Sequence, residues 1–276
     1  MVGHETAALR ASNAASNGTA AAAPALAARG LTIRAGARLL VRELNLEFRA
    51  GELVAILGRN GSGKTLTLHA LAGLGHPAAG EVRLGGKSLS QLGRRAIARE
   101  IGILTQDREE GLPATVFESV LIGRNPHLRP LQWETAADQR IAEACLERLE
   151  LGAFAERTLE TLSGGEQRRV ALAALLAQDP AIFLLDEPTN HLDPHHQIGV
   201  LELFRGLARA GRTVVATLHD PTLAARFADR ALLLNGDGRW RAGGVEEVLT
   251  AGALEELYLT PMIELRAEGR RAFLSA

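Results

Sequence analysis

The sequence predicts an α/β fold in which a buried parallel sheet presents its functional loops at one end. Three observations carry this. An apolar run, Leu53 to Leu57, leads into Gly58-Arg-Asn-Gly-Ser-Gly-Lys-Thr65 and then a helical pattern. A second run, Ala181 to Leu185, ends in the acids Asp186 and Glu187. A third, Thr213 to Thr217, is followed closely by His219. Short continuous apolar runs suit strands covered on both faces. Ligands of open α/β sheets bind at the carboxyl ends of such strands.

Taken in order, residues 1 to about 28 are rich in Ala, Ser and Asn without a hydrophobic period, and are expected to be a disordered tail. They lack the apolar core and basic start of a signal peptide. Strand-like alternation follows at Leu31 to Arg34 and Leu44 to Arg49, an expected antiparallel edge. A helix is expected from about Lys64 to Leu74, then a short strand at Val82 to Leu84. Residues from about 88 to 178 read mostly as helix, with Ile141, Ala142, Cys145, Leu146 and Leu149 on one face. Cys145 is thereby a core residue, not a reactive thiol. Strand and helix then alternate through Ala231 to Leu234, and residues after about 245 read as helical and peripheral. The expected organisation is a tail (1–28), a main domain (29–250) with a helical subdomain (88–178) inserted, and a C-terminal segment (251–276).

Composition narrows the function classes. Hydrophobic residues make up 46% and charged residues 23%, with net charge -1, an ordinary globular balance without the basic footprint of a nucleic-acid binder. One cysteine allows no internal disulfide, and no run of 18 apolar residues marks a membrane span.

The segment Gly58 to Thr65 fits G-x-x-x-x-G-K-[ST]. Its glycines let the backbone N–H groups turn toward phosphates, and the following helix adds its positive end. Lys64 is one of only two lysines, with Lys87, among 31 basic residues. It is expected on the β and γ phosphates of ATP, with the Thr65 hydroxyl on Mg²⁺. Gly58, Asn60, Gly61, Ser62, Gly63, Lys64, Thr65 and Leu66 are the expected nucleotide contacts. Asp186 is placed to hold Mg²⁺ and Glu187 to act as general base on the attacking water.

Leu162-Ser-Gly-Gly-Glu-Gln167 opens a further helix, with Ser163 and Glu166 spaced as a capping box. The box does not require two consecutive glycines. These expose N–H groups to an anion, so Ser163, Gly164 and Gly165 form a second phosphate-seeking helix end about 100 residues downstream of the first.

This LSGGEQRRV motif resembles the signature of ATP-binding cassette (ABC) ATPases, and the other family elements occur in order. Gln106 resembles the Q-loop glutamine that senses Mg²⁺ and water. Asn190-His-Leu-Asp193 resembles the D-loop, and His219 the switch histidine of the γ-phosphate. The resemblance spans about residues 30–250. It implies a P-loop NTPase core of ABC type whose two copies pair head to tail, the signature of one closing over ATP on the P-loop of the other. The family's adenine-stacking aromatic is replaced by Ala35.

Further stretches are similar to importers of iron-siderophore, haem and cobalamin chelates: Thr115 to His127, Asp186 to Gln197, and His219 to Arg230. The resemblance implies an ATPase homodimer on the cytoplasmic face of the membrane, docked through residues around Gln106 to Glu118 on integral permease subunits, and served by a periplasmic or lipoprotein solute-binding protein. The alternatives are a soluble ABC ATPase acting on ribosomes or DNA, or a transporter of manganese, zinc or molybdate. His127, His191, His195 and His196 are read as lobe or nucleotide-side residues, not metal ligands. Pro221 is unusual for the subgroup and suits the first turn of a helix.

Overall fold

The computed structural model describes residues 25–105, 114–129 and 131–276. In chain order, β1 (Leu26–Ala35) and β2 (Arg38–Phe48) form a hairpin, β3 (Leu53–Leu57) leads into α1 (Lys64–Leu71), and β4 (Ala79–Leu84) and β5 (Lys87–Ser88) follow. Next come α2 (Arg94–Glu100), β6 (Ile101–Leu104), and the lobe helices α3 (Val116–Leu121), α4 (Ala136–Arg148) and α5 (Gly164–Gln178). The chain returns through β7 (Ile182–Leu185), α6 (Pro194–Arg209), β8 (Thr213–Thr217), α7 (Pro221–Phe227), β9 (Arg230–Leu234) and β10 (Trp240–Gly244). It closes with α8 (Val245–Val248), α9 (Ala251–Tyr258), β11 (Met262–Ala267) and β12 (Arg270–Ser275).

The main sheet has six strands in the order β10-β9-β3-β8-β7-β6, parallel except for β10. Strand alternation divides its side chains between two cores. Leu53, Ala55 and Leu57 of β3 join Phe183, Leu185 and the helices of the lobe side. Val54 and Ile56 join Ile182, Leu184, α1 and the antiparallel sheet β2-β1-β4-β5. Every residue of β3, β7 and β8 is buried, which explains their unbroken apolar text. The order β3-β8-β7 sets the ends of these strands side by side, and with them the phosphate loop, His219 and the two acids.

Four expectations need correction. The first strand begins at Leu26, not near Leu31: Leu26, Ala27 and Ala28 pair with Phe48, Glu47 and Leu46 and are buried. Small alanines read as tail because packing between two close strands, not bulk, holds them. Residues 1–24 of the expected tail lie outside the described residues. Within the helical stretch 88–178, Ile101–Leu104 forms a sheet strand paired with β7. The helix after the phosphate loop ends at Leu71 rather than Leu74. The C-terminal segment is neither wholly helical nor peripheral. It ends in the β11–β12 hairpin, and Leu254, Leu257 and Phe273 are buried in the lobe-side core. The expected face of α4 packs inward: Ala142 and Leu146 are buried and Cys145 is half-buried. Burial pushes the Cys145 thiol up to about 11, so it stays protonated near neutrality.

Candidate active site

The phosphate loop is shaped by local backbone demands. Gly61 and Gly63 have φ of +72° and +101°, the left-handed region that glycine adopts without a Cβ penalty. A Cβ at Gly58 would lie 2.6 Å from the Leu234 carbonyl oxygen, so no larger residue fits there without movement. Gly63 is the N-cap of α1 and offers no capping side chain, and the first turn carries no acid. The leading N–H groups of α1 are thus left to an anion. Lys64 is buried, and its Nζ donates to the carbonyls of Gly58 (2.8 Å) and Arg59 (3.3 Å). Burial pushes its ammonium below the ordinary range, and Glu187 and Asp186 oppose that shift.

The acids follow from β7. Thr217, at the end of β8 and fully buried, organises both: its hydroxyl donates to Asp186 Oδ1 at 2.7 Å and accepts from the Glu187 N–H at 2.7 Å. Asp186 Oδ2 is buried without a partner among the described residues. An orphaned carboxylate oxygen beside a phosphate loop fits a hard divalent cation. Glu187 has φ of +49°, rare for a non-glycine residue. Its Oε1 lies 2.5 Å from His219 Nε2, within hydrogen-bond reach, and Asn190 Nδ2 donates to its Oε2.

A cleft of about 450 Å³ runs along the loop. It is lined by Gly58, Arg59, Asn60 and Ser62, by Arg38 and Asn235, and by His219 and Tyr258. The Tyr258 hydroxyl lies 3.3 Å from the His219 carbonyl, and burial pushes it up to about 12. Arg38 Nη2 donates to the Gly236 carbonyl at 3.1 Å. Leu66 is part-exposed on α1, and Thr65 follows Lys64 in its first turn.

The chain brings Lys64, Asp186, Glu187 and His219 together. Ser163, Gly164 and Gly165 do not line the cleft. They open α5, where Ser163 and Glu166 complete the expected capping box: the Ser163 N–H donates to Glu166 at 2.7 Å and the Glu166 N–H to the Ser163 hydroxyl at 3.3 Å. A Cβ at Gly165 would sit 2.9 Å from the His191 carbonyl, so this glycine permits close approach of the D-loop of its own chain. Asp193 caps α6, accepting from the His196 N–H at 3.0 Å, with its Oδ2 2.7 Å from His196 Nδ1. His127 Nε2 lies 2.8 Å from the Gln178 carbonyl, on the lobe. Pro221 starts α7 as its first-turn residue. Ala35 is exposed at the end of β1. Gln106 lies outside the described residues, as do positions 107–113 of the expected docking stretch.

Sequence reasoning missed Thr217, Tyr258 and Arg168, and named Asn190 for the D-loop resemblance without its bond to Glu187. Thr217 had a faint signal, a hydroxyl closing an apolar strand. Tyr258 and Arg168 gave none, because their partners are distant in the chain.

The family model described as ABC transporter matches residues 41–190. The hemin import ATP-binding protein of Streptomyces coelicolor is 42% identical over 241 residues, covering 86% of this chain and 84% of the relative. A solved transporter described as of metal-chelate type, in an inward-facing conformation, superposes with a TM-score of 0.79 at 29% identity, covering 91% of this chain and 97% of that one. A dimeric ATP-binding cassette bound to ADP and Pi gives a TM-score of 0.70 at 30% identity, covering 80% and 98%.

Proposed function

The chain belongs to the ABC transporter family, and from that premise we propose that it is the ATP-hydrolysing subunit of a metal-chelate importer of the hemin and siderophore class. The observation that carries the hydrolytic part is the convergence of Lys64, Asp186, Glu187 and His219 at the ends of three adjacent parallel strands.

The chemistry follows from these groups. The loop amides and Lys64 bind the triphosphate, with Lys64 exchanging its carbonyl partners for phosphate oxygens. Thr65 and Asp186, with Gln106, are the residues to hold Mg²⁺, which when bound neutralises phosphate charge. Glu187 accepts a proton from the attacking water. His219 holds the Glu187 carboxylate through Nε2 and faces the cleft where the terminal phosphate would lie. Asn190 fixes the other carboxylate oxygen.

The signature helix end supports a second copy as partner. Its glycine-flanked amides lie outside the cleft of their own chain, and the dimeric ADP-bound neighbour provides a precedent for pairing. The cargo class rests on the named relative and the metal-chelate neighbour. No helix among the described residues is long and apolar enough to cross a membrane. In our reading separate permease subunits form the passage, this chain docks on their cytoplasmic side, and a solute-binding protein delivers the chelate. Replacing Lys64 by Ala should abolish hemin or ferric-siderophore uptake in cells that depend on this transporter. Uptake undiminished in that strain would overturn the reading.

A further inference from the structure

Two neighbouring arginines on α5 reach in different directions. Arg169 Nη1 donates to the Leu149 carbonyl at 3.0 Å, at the end of α4 in the helical lobe. Arg168 turns toward the catalytic strand ends. Its Nη1 donates to the Thr105 carbonyl at 2.7 Å, just after β6. Its Nη2 donates to the carbonyls of Asp186 and Glu187, the latter at 2.8 Å. One planar guanidinium therefore grips three backbone carbonyls, two of them on the acids that serve the nucleotide. The same strand ends are joined by the Asp186 N–H donating to the Leu104 carbonyl at 2.9 Å.

Glu187 needs such a hold. Its backbone is in the left-handed region, and its carboxylate aim depends on that conformation. A side chain fixing the carbonyls on both sides of its N–Cα bond determines where Oε1 and Oε2 point. Arg168 is the fifth residue of a helix whose first residue is Gly164, so it moves rigidly with the signature tip.

We propose that Arg168 is a positioning residue that couples the signature tip to the catalytic carboxylate, so that ATP held by one copy of a dimer sets the geometry of the base in the other. This rests on the composite-site dimer proposed above. The tip of one copy would meet the partner's nucleotide, while Arg168 of that same copy acts on its own Glu187. In a symmetric dimer of identical chains the same coupling runs in both directions. It makes the ATP dependence of hydrolysis sigmoidal.

The test uses the full chain. Arg168→Met keeps the apolar stem and removes the donors, whereas Arg168→Lys restores a cation that can reach one or two carbonyls. The expected result for Arg168→Met is kcat lowered by roughly tenfold or more at unchanged KM, the scale of an imperfectly placed general base. Its ATP curve becomes hyperbolic, and Arg168→Lys recovers part of both losses. A hyperbolic wild-type curve overturns the proposal. So does an Arg168→Met enzyme as fast and sigmoidal as wild type, or a Lys variant no better than Met. ATP-dependent dimerisation of the Glu187→Gln chain, by size-exclusion chromatography, separates this from the dimer reading. A chain that stays monomeric at saturating ATP sinks the composite site and the coupling together. Dimerisation with Arg168→Met kinetics unchanged sinks the coupling alone.

Discussion

Two glycine-flanked helix starts, α1 and α5, look alike in the text and differ in what their own chain does with them. The tip of α1 is left open: Gly63 gives no capping oxygen, no acid lies in the first turn, and the neighbouring acids and His219 are assembled around it. The tip of α5 is closed on itself by Ser163 and Glu166, so its leading donors are partly satisfied and a carboxylate already sits at its positive end. A helix end that must grip a triphosphate unaided keeps its amides free. One that waits at a surface for a second molecule must be stable alone. On the dimer reading proposed above, the difference separates a site completed in cis from one completed in trans.

The comparison is tested most severely at Glu187. Glu187→Gln should lose about 10²- to 10⁴-fold in turnover, measured by steady-state phosphate release, while nucleotide binding persists. Undiminished turnover would remove Glu187 as the base and leave the α1 site without its chemistry.

A second prediction contrasts the two tips directly. Gly63→Ala forces a side chain into a left-handed position costing roughly 1–2 kcal/mol, against Leu40 Cβ at 3.1 Å. It should weaken ATP binding by about tenfold or more, measured by titration calorimetry, since a factor of ten is about 1.4 kcal/mol. Ser163→Arg should leave that affinity unchanged and block ATP-dependent pairing of the Glu187→Gln chain. If both variants impaired binding equally, the division between cis and trans would fail.

The smallest effect concerns how the lobe holds α5. Asp138 accepts from the Thr135 hydroxyl at 2.7 Å and from Arg124 at 2.9 Å, while Arg124 also donates to the Ala177 carbonyl in the last turn of α5 at 2.7 Å. The Thr135 bond first, then Arg124, lowers the Asp138 carboxyl to about 2. A depressed folded pKa contributes stability that is present above the unfolded value of 3.8 and lost as pH falls toward about 2. The contribution is up to about 2 kcal/mol. Acid titration of Asp138→Asn, followed by circular dichroism, should show a shallower loss of stability over that window. An unchanged slope would detach this ion pair from the lobe's stability.

Much of the fold was legible because several strands are short and buried on both faces, which writes them as continuous apolar text. The phosphate loop was legible because its glycines, lysine and threonine meet local demands. Strand β1 was misread at its start because Leu26 to Ala28 are held by partners at Leu46 to Phe48 and at Val82 to Leu84. The same holds for β6, whose partner β7 lies far along the chain and whose own text is interrupted by Gly102. Within the site, Lys64, Asp186, Glu187 and His219 carried motif signals. Thr217 and Arg168 act through atoms 30 and 19 positions from their own, on Glu187. Spacing within one segment does not report such contacts.

What the sequence by itself determined are properties written within a few residues: where the phosphate-loop glycines let the backbone turn, that Ser163 and Glu166 cap α5, and which side chains can meet phosphate. What only the tertiary structure decided is adjacency. The strand order β3-β8-β7 sets the loop, the histidine and the acids side by side, and α5 lays Arg168 across their carbonyls. The physical reason is range: capping bonds and backbone torsions are fixed by near neighbours in the chain, whereas strand order and side-chain grips are selected by burying both faces of the sheet at once.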